Sequence, residues 1–152
     1  MSRERQDLLS RAALGVFRLN GRFLSVADEL AAPAGLTAAW WQVLGAVLGQ
    51  PLPVAGIARE MGITRQSVQR IADLLVERGL AEYRPNPAHR RAKLLAPTEA
   101  GRAAVHRINP GHAALADRLA EAFGEAELGE AVSMLERLSK VLDQLSTDSG
   151  RP

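Results

Sequence analysis

The chain has no cysteine among its 152 residues. That excludes disulfides, thiolate metal sites and thiol-based redox sensing. No run of about 18 apolar residues occurs, so no membrane-spanning helix is expected. The N-terminus, MSRERQDLLSR, alternates charges and has no apolar signal core, so a cytoplasmic location is expected. Internal repeats, low-complexity tracts and a glycine-rich phosphate loop are all missing. The three histidines are not accompanied by a serine or carboxylate constellation, so no enzyme chemistry is expected, and no cofactor or metal site.

Net charge is only +2, but its distribution is uneven. Residues 1–58 carry a net +1, residues 59–93 a net +4, and residues 94–152 a net −3. Positive charge is therefore concentrated in the middle of the chain. A modest basic patch between near-neutral and acidic segments suits a nucleic-acid reader better than a general polycation.

Apolar periodicity organises the rest. Leu9, Ala12, Val16, Leu19, Phe23, Val26 and Leu30 step by three and four, which predicts a long amphipathic helix from about Arg5 to Ala32. Pro33 and Gly35 end it. Thr37 is the expected N-cap of a second helix, with Trp41, Leu44 and Leu48 on one face. Pro53 is expected at the start of a third helix that runs from Val54 to Met61 and stops at Gly62. Thr64 caps a fourth helix, which runs to about Arg78 before Gly79. Leu80–Arg84 and Ala92–Ala96 read as two strands joined by a turn at Pro85–Ala88. A helix follows from Glu99 to Phe123, with Pro110 inside it as an expected kink. Beyond a break at Gly124, a final helix carries Leu128, Val132, Leu135, Leu138, Leu142 and Leu145, and a polar tail from Ser146 is expected to fray.

The stretch from Val54 to Lys93 carries the functional signal. It reads as a helix-turn-helix followed by a basic hairpin, the pattern that sets one helix in a DNA groove and a loop beside it. Val68, Ile71, Ala72 and Leu75 form one stripe of the fourth helix and should face the core. The other side presents Arg65, Gln66, Gln69, Arg70 and Asp73. Arginine pairs with guanine and glutamine with adenine in the major groove, so Arg65, Gln66, Gln69 and Arg70 are the expected base readers. Asp73 and Glu77 read most simply as solvated residues or intrahelical ion-pair partners. Thr64 and Ser67, at the positive end of the helix, are expected to meet phosphate. Arg84, His89, Arg90, Arg91 and Lys93 complete the DNA-binding set on the hairpin, which can follow the backbone or enter the minor groove. Alone, a basic hairpin is most simply a solvated turn; beside a helix-turn-helix it reads as a wing.

The two outer helices supply a second expectation. Their apolar seams are too extensive for a small winged helix to cover both. A shared core between two copies is expected, with Leu9, Val16, Leu135, Leu138, Leu142 and Leu145 at the dimer interface. Trp40, Trp41 and His112 are the candidates for lining an effector pocket, against the plainer reading that they pack in the core or an interface.

Three segments carry a family resemblance: LTAAWWQVL, IAREMGITRQSVQRIADLLVERGLAEYR and PNPAHRRAKLLAPTEAGR. Across about residues 8–145 the chain resembles transcription regulators of the multiple-antibiotic-resistance regulator (MarR) family. The resemblance implies a mostly α fold with a small β-hairpin wing. It implies a winged helix-turn-helix at residues 37–98 and a helical dimerisation region at residues 1–36 and 99–148. It further implies an intertwined homodimer that binds double-stranded DNA, with the fourth helix in the major groove and Arg91 in the minor groove. Many members repress genes and release DNA when a small, often aromatic, effector binds. His89 stands where the family usually has an aspartate two residues before the wing arginine. Asn86 replaces another aspartate that is often present in the preceding turn. A looser, more basic wing is expected from both changes, slightly pH-sensitive through His89. Pro97 replaces the usual leucine before the threonine. The competing class is a winged helix that binds protein and not DNA; the wing arginine and the Gln-Arg helix face argue against it.

Overall fold

The computed structural model describes residues 2–150. The chain divides into two compact units, with the boundary between Asn109 and Pro110. In the first unit, helix α1 (Arg3–Ala31) starts at Ser2, whose side chain accepts from the Arg5 N–H. A 3-10 turn at Ala32–Ala34 ends in Gly35, which takes the left-handed conformation (φ 75°). Helix α2 (Ala38–Val47) follows, bent 79° from α1. Thr37 caps it as expected, accepting from the Trp40 N–H at 3.2 Å. Asp28 of α1 also accepts from the Ala38 N–H, at 2.7 Å, and ties the two helices at the bend. Satisfying a helix's first free N–H groups is what makes a sharp start tolerable.

Helix α3 (Val54–Met61) and helix α4 (Arg65–Glu77) follow. Gly62, with φ 66°, turns the chain between them as the sequence required. Val68, Ile71, Ala72 and Leu75 are buried, the stripe expected from their spacing. They pack with Val43, Leu44 and Val47 of α2, Ile57 and Ala58 of α3, and Leu95 into one core. The inner face of α2 is thus Val43, Leu44 and Val47. Trp41 and Leu48, expected beside Leu44 on one face, are only half-buried.

The sheet has three strands and not two. Strands β2 (Ala81–Arg84) and β3 (Leu94–Pro97) pair antiparallel, with Arg84 opposite Leu94. A short strand β1 (Leu52–Pro53) adds to the far edge of β3. Pro53 therefore ends a strand and precedes α3 instead of opening it. A proline is tolerated there because an edge strand does not need every N–H. The wing loop is also longer than the expected four-residue turn, spanning residues 85–93. Pro85 and Pro87 lack N–H groups and cannot continue a ladder. Ala92 and Lys93 consequently lie outside β3; Leu80 lies outside β2 because its N–H donates to the Leu75 carbonyl at the end of α4.

Helix α5 (Glu99–Phe123) is docked at its start by Thr98. The Thr98 hydroxyl donates to the Gly79 carbonyl at 2.6 Å and accepts from the Gly101 N–H. The Thr98 N–H donates to the Leu80 carbonyl. Gly101 permits this closeness: a Cβ there would lie 2.0 Å from the Leu80 carbonyl oxygen. Ala104, Val105 and Ile108 are buried in the first unit's core. The helix continues through Pro110 into the second unit.

In the second unit Leu115 and Leu119 are half-buried, while Ala122 and Phe123 are exposed. His112, expected within the apolar stripe, is exposed. Gly124 (φ 102°) separates α5 from helix α6 (Glu125–Ser149), which has no buried residue. The expected fraying from Ser146 is not seen within the described residues. Ser146, Thr147 and Ser149 donate back to the carbonyls of Leu142, Asp143 and Leu145, and the helix holds to Ser149. The last two residues of the expected tail lie outside the described residues. No single described helix is long and apolar enough to cross a membrane.

Candidate nucleic-acid interface

The outer face of α4 is polar and exposed, at Arg65, Gln66, Gln69, Arg70 and Asp73. Thr64 holds its start: the Thr64 oxygen accepts from the Ser67 N–H at 3.1 Å, and its hydroxyl donates to the Ser67 Oγ at 2.9 Å. The two residues expected to meet phosphate thus form the cap itself. A cap leaves other N–H groups of the first turn free for an anion, at the positive end of the helix.

A cleft of about 580 Å³ runs between this face and the base of the wing. Arg65, Gln66 and Gln69 line it from α4, Arg91 and Lys93 from the wing, and Pro53 and Val54 from the start of α3. The fold therefore brings five of the sequence-selected residues to one place. Arg70, His89 and Arg90 are exposed but do not line this cleft. Arg84 is turned to its own strand, where its guanidinium donates to Glu82 at 2.9 and 3.0 Å. That pair is half-exposed on both sides and contributes little to stability. Within the wing, Asn86 accepts from the Ala88 N–H at 3.0 Å, and the His89 carbonyl accepts from the Ala92 N–H at 3.2 Å. Asn86 thereby shapes the turn with its side-chain oxygen.

Tyr83 was not among the residues selected from sequence. It is the chain's only tyrosine. Its ring packs half-buried against the core from β2, and its hydroxyl donates to Asp73 Oδ1. Gln69 Nε2 donates to Asp73 Oδ1 and to the Tyr83 hydroxyl, both at 2.9 Å. Asp73, exposed as expected, also accepts hydrogen bonds from two neighbours at one carboxylate oxygen. Burial pushes the Tyr83 phenol up to about 12 from 10.0, and the hydrogen bond and negative charge of Asp73 add to the rise. Strand alternation held the signal: Tyr83 is two residues from buried Ala81 and shares its face. Lys93 sits over the Tyr83 ring, 6.0 Å from its centre.

Trp40, Trp41 and His112 do not line this cleft. Trp40 and Trp41 are half-buried on α2, and the Arg78 guanidinium sits 5.6 Å from the centre of the Trp40 ring. That geometry fits a cation–π contact, the packing role weighed for Trp40. His112 belongs to the second compact unit.

A helix-turn-helix with a three-stranded wing, an exposed polar second helix and a basic loop beside it defines the winged helix class. The MarR family model matches residues 34–92. An uncharacterized protein of Mycobacterium tuberculosis is 40% identical over 132 residues, covering 87% of this chain and 92% of that protein. Among solved structures, CouR from Rhodococcus jostii bound to p-coumaroyl-CoA is 26% identical, with a TM-score of 0.74 over 84% of this chain and 90% of that one. A mutant MarR from Escherichia coli complexed with operator DNA shares the fold at 20% identity, with a TM-score of 0.76 over 90% of this chain and 99% of that one. The chain belongs to the MarR family of transcription regulators.

Proposed function

We propose that this protein is a sequence-specific DNA-binding transcription regulator, a ligand-responsive repressor acting as a homodimer on an inverted-repeat operator in the cytoplasm. Its reaction is reversible binding without covalent chemistry. The observation that carries the reading is the single cleft in which Arg65, Gln66 and Gln69 of α4 meet Arg91 and Lys93 of the wing. In this reading α4 enters the major groove, where Arg65, Gln66, Gln69 and Arg70 meet base edges. The Thr64–Ser67 end of α4 sits against a phosphate. Arg90 and Arg91 carry the wing to the backbone or minor groove. Arg84 and His89 stand nearby and add positive or polar surface.

Homodimerisation is supported by the apolar residues that one chain leaves uncovered. Leu9, Val16, Leu135, Leu138, Leu142 and Leu145 are all exposed. Monomers rarely leave so many large apolar side chains bare along two helices. The dimerisation region in this reading is residues 1–36 and 99–148, with the DNA-binding domain at 37–98. An effector would be a small, partly apolar molecule. The solved relative bound to p-coumaroyl-CoA supports a ligand-responsive member of this class, and Trp40, Trp41 and His112 are the residues proposed to meet such a ligand.

The test is genome-wide mapping of bound sites, followed by footprinting on the strongest. The expected footprint is an inverted repeat with half-site centres about 10 base pairs apart, one helical turn. A single asymmetric half-site would contradict the dimeric reading. Binding without sequence preference would contradict the regulator reading.

A further inference from the structure

Gln66 and Gln69 both line the cleft from α4, but only one of them is anchored. Gln69 Nε2 lies 2.9 Å from Asp73 Oδ1 and 2.9 Å from the Tyr83 hydroxyl. Those two oxygens are themselves 2.5 Å apart, joined by the hydrogen that Tyr83 donates. Seen from Nε2 they lie side by side, so one amide hydrogen serves both as a three-centre bond. A carboxylate only accepts, so the group facing Asp73 is the amide nitrogen and not the amide oxygen. A phenol pushed up to about 12 keeps its hydrogen at neutral pH, so the triangle stays closed there. Gln69 is thus tied at one corner and keeps its second amide hydrogen and its oxygen, the two kinds of group with which glutamine reads adenine. Gln66 has no side-chain hydrogen bond among the described residues.

We propose that Tyr83 and Asp73 are positioning residues that hold the Gln69 amide still for base reading, so that a residue of the wing strand sets specificity through α4. A mobile surface glutamine loses rotamer freedom when it engages a base, which weakens binding by roughly two- to tenfold for one long side chain. In Gln69 that ordering is already made within the protein. The part of Tyr83 that makes it is separable from the rest. Its ring packs against the core and lies under Lys93, 6.0 Å from the ring centre, whereas only its hydroxyl reaches Gln69 and Asp73. This inference rests on the proposed reading of α4 as the base-reading helix.

The first measurement needs no DNA. In the full-length protein the side-chain amide of Gln69 should have a higher NMR order parameter than that of Gln66, and Tyr83→Phe should lower it to the Gln66 level. Equal order parameters in wild type overturn the proposal. The second measurement uses a footprinted operator with all four bases placed in turn at each half-site position. Gln69→Ala should flatten a preference for adenine at one position, which identifies the contact. Tyr83→Phe keeps the ring and removes the hydroxyl. It should reduce the preference at that position by roughly two- to tenfold and leave the other positions and random duplex unchanged. Asp73 is exposed, so Asp73→Ala is a second probe that spares the core. Loss of its negative charge should strengthen binding to every duplex while the same preference weakens. In the Gln69→Ala background neither change should alter base preference further. A structural role for Tyr83 would weaken all duplexes by one factor in both backgrounds, and that result overturns the proposal. A preference sharpened by Tyr83→Phe also overturns it, because the anchor would then hold Gln69 back. If an operator exists but Gln69→Ala flattens no position, this inference fails while the regulator reading stands. If no sequence-specific binding is found, both fail together.

Discussion

Leu44 and Leu142 sit on amphipathic helices with similar apolar spacing, yet they have opposite fates. Leu44 is 0% exposed and Leu142 is 50% exposed. The difference lies in what each helix faces. Helix α2 is surrounded by α1, α3, α4 and β3, so its inner side chains are enclosed within one chain. Helix α6 carries Val132, Leu135, Leu138, Val141, Leu142 and Leu145, all exposed. An apolar stripe records that a helix is to be covered; it does not record by which chain. The winged region holds a finished core, whereas the α6 stripe is left exposed by its own chain. In the proposed dimer, a second copy covers that stripe.

The strongest way to break this comparison is to charge the α6 face. The double change Leu138→Glu and Leu142→Glu should give monomeric or unfolded protein. Operator affinity should fall by about 100-fold or more, because two linked half-site contacts are lost together. Sedimentation showing a folded wild-type monomer at micromolar concentration would remove its basis. A milder pair sharpens the contrast. Leu44→Ala should cost about 2–5 kcal/mol of folding stability, since the side chain is fully enclosed. Leu142→Ala should act instead through the dimer, so its effect on urea unfolding should depend on protein concentration.

Gly101 probes how the recognition unit is held. Gly101→Ala places a methyl group against the Leu80 backbone and should cost about 1–3 kcal/mol, through forced displacement at the start of α5. Wild-type stability in that variant would show that α5 is not tightly docked there.

Tyr83 gives the smallest and most local effect. As the only tyrosine, it can be followed by the ultraviolet absorbance of tyrosinate. Its midpoint should move from about 12 in wild type toward 10 in Asp73→Ala, by the part that Asp73 contributes. The raised value also sets a sign. The folded state holds the phenolic proton more tightly than the unfolded chain. Its contribution to stability is present below pH 10 and is lost as pH rises through about 12. An unchanged midpoint in Asp73→Ala would break the hydrogen-bonded set on α4 and β2.

Much of this arrangement was legible in the sequence. Thr37, Gly62, Thr64 and Gly79 mark helix ends by local chemistry, and local chemistry survives folding. The stripe of Val68, Ile71, Ala72 and Leu75 was readable because its period is set by the helix itself. What was missed depended on distant partners. The two-residue strand β1 exists only because β3, some forty residues later, offers an edge. The role of Gly101 depends on the Leu80 carbonyl, and that of Asp73 on Tyr83. The length of the wing loop followed from a register that begins at Arg84 opposite Leu94. The clustering of Arg65, Gln66, Gln69, Arg91 and Lys93 was foreseen as a set of residue types, but not as one cleft.

In the proposed complex α4 reads bases while the wing anchors. Titrating Arg70→Ala and Arg91→Ala against operator and random duplex at several salt concentrations tests it most directly. Arg70→Ala should cost about 1–3 kcal/mol on the operator and much less on random DNA. Arg91→Ala should weaken both duplexes and reduce the slope of log affinity against log salt by about 0.9 per lost phosphate contact in each protomer. Equal losses on both duplexes for both variants would contradict the assignment of α4 as the reader.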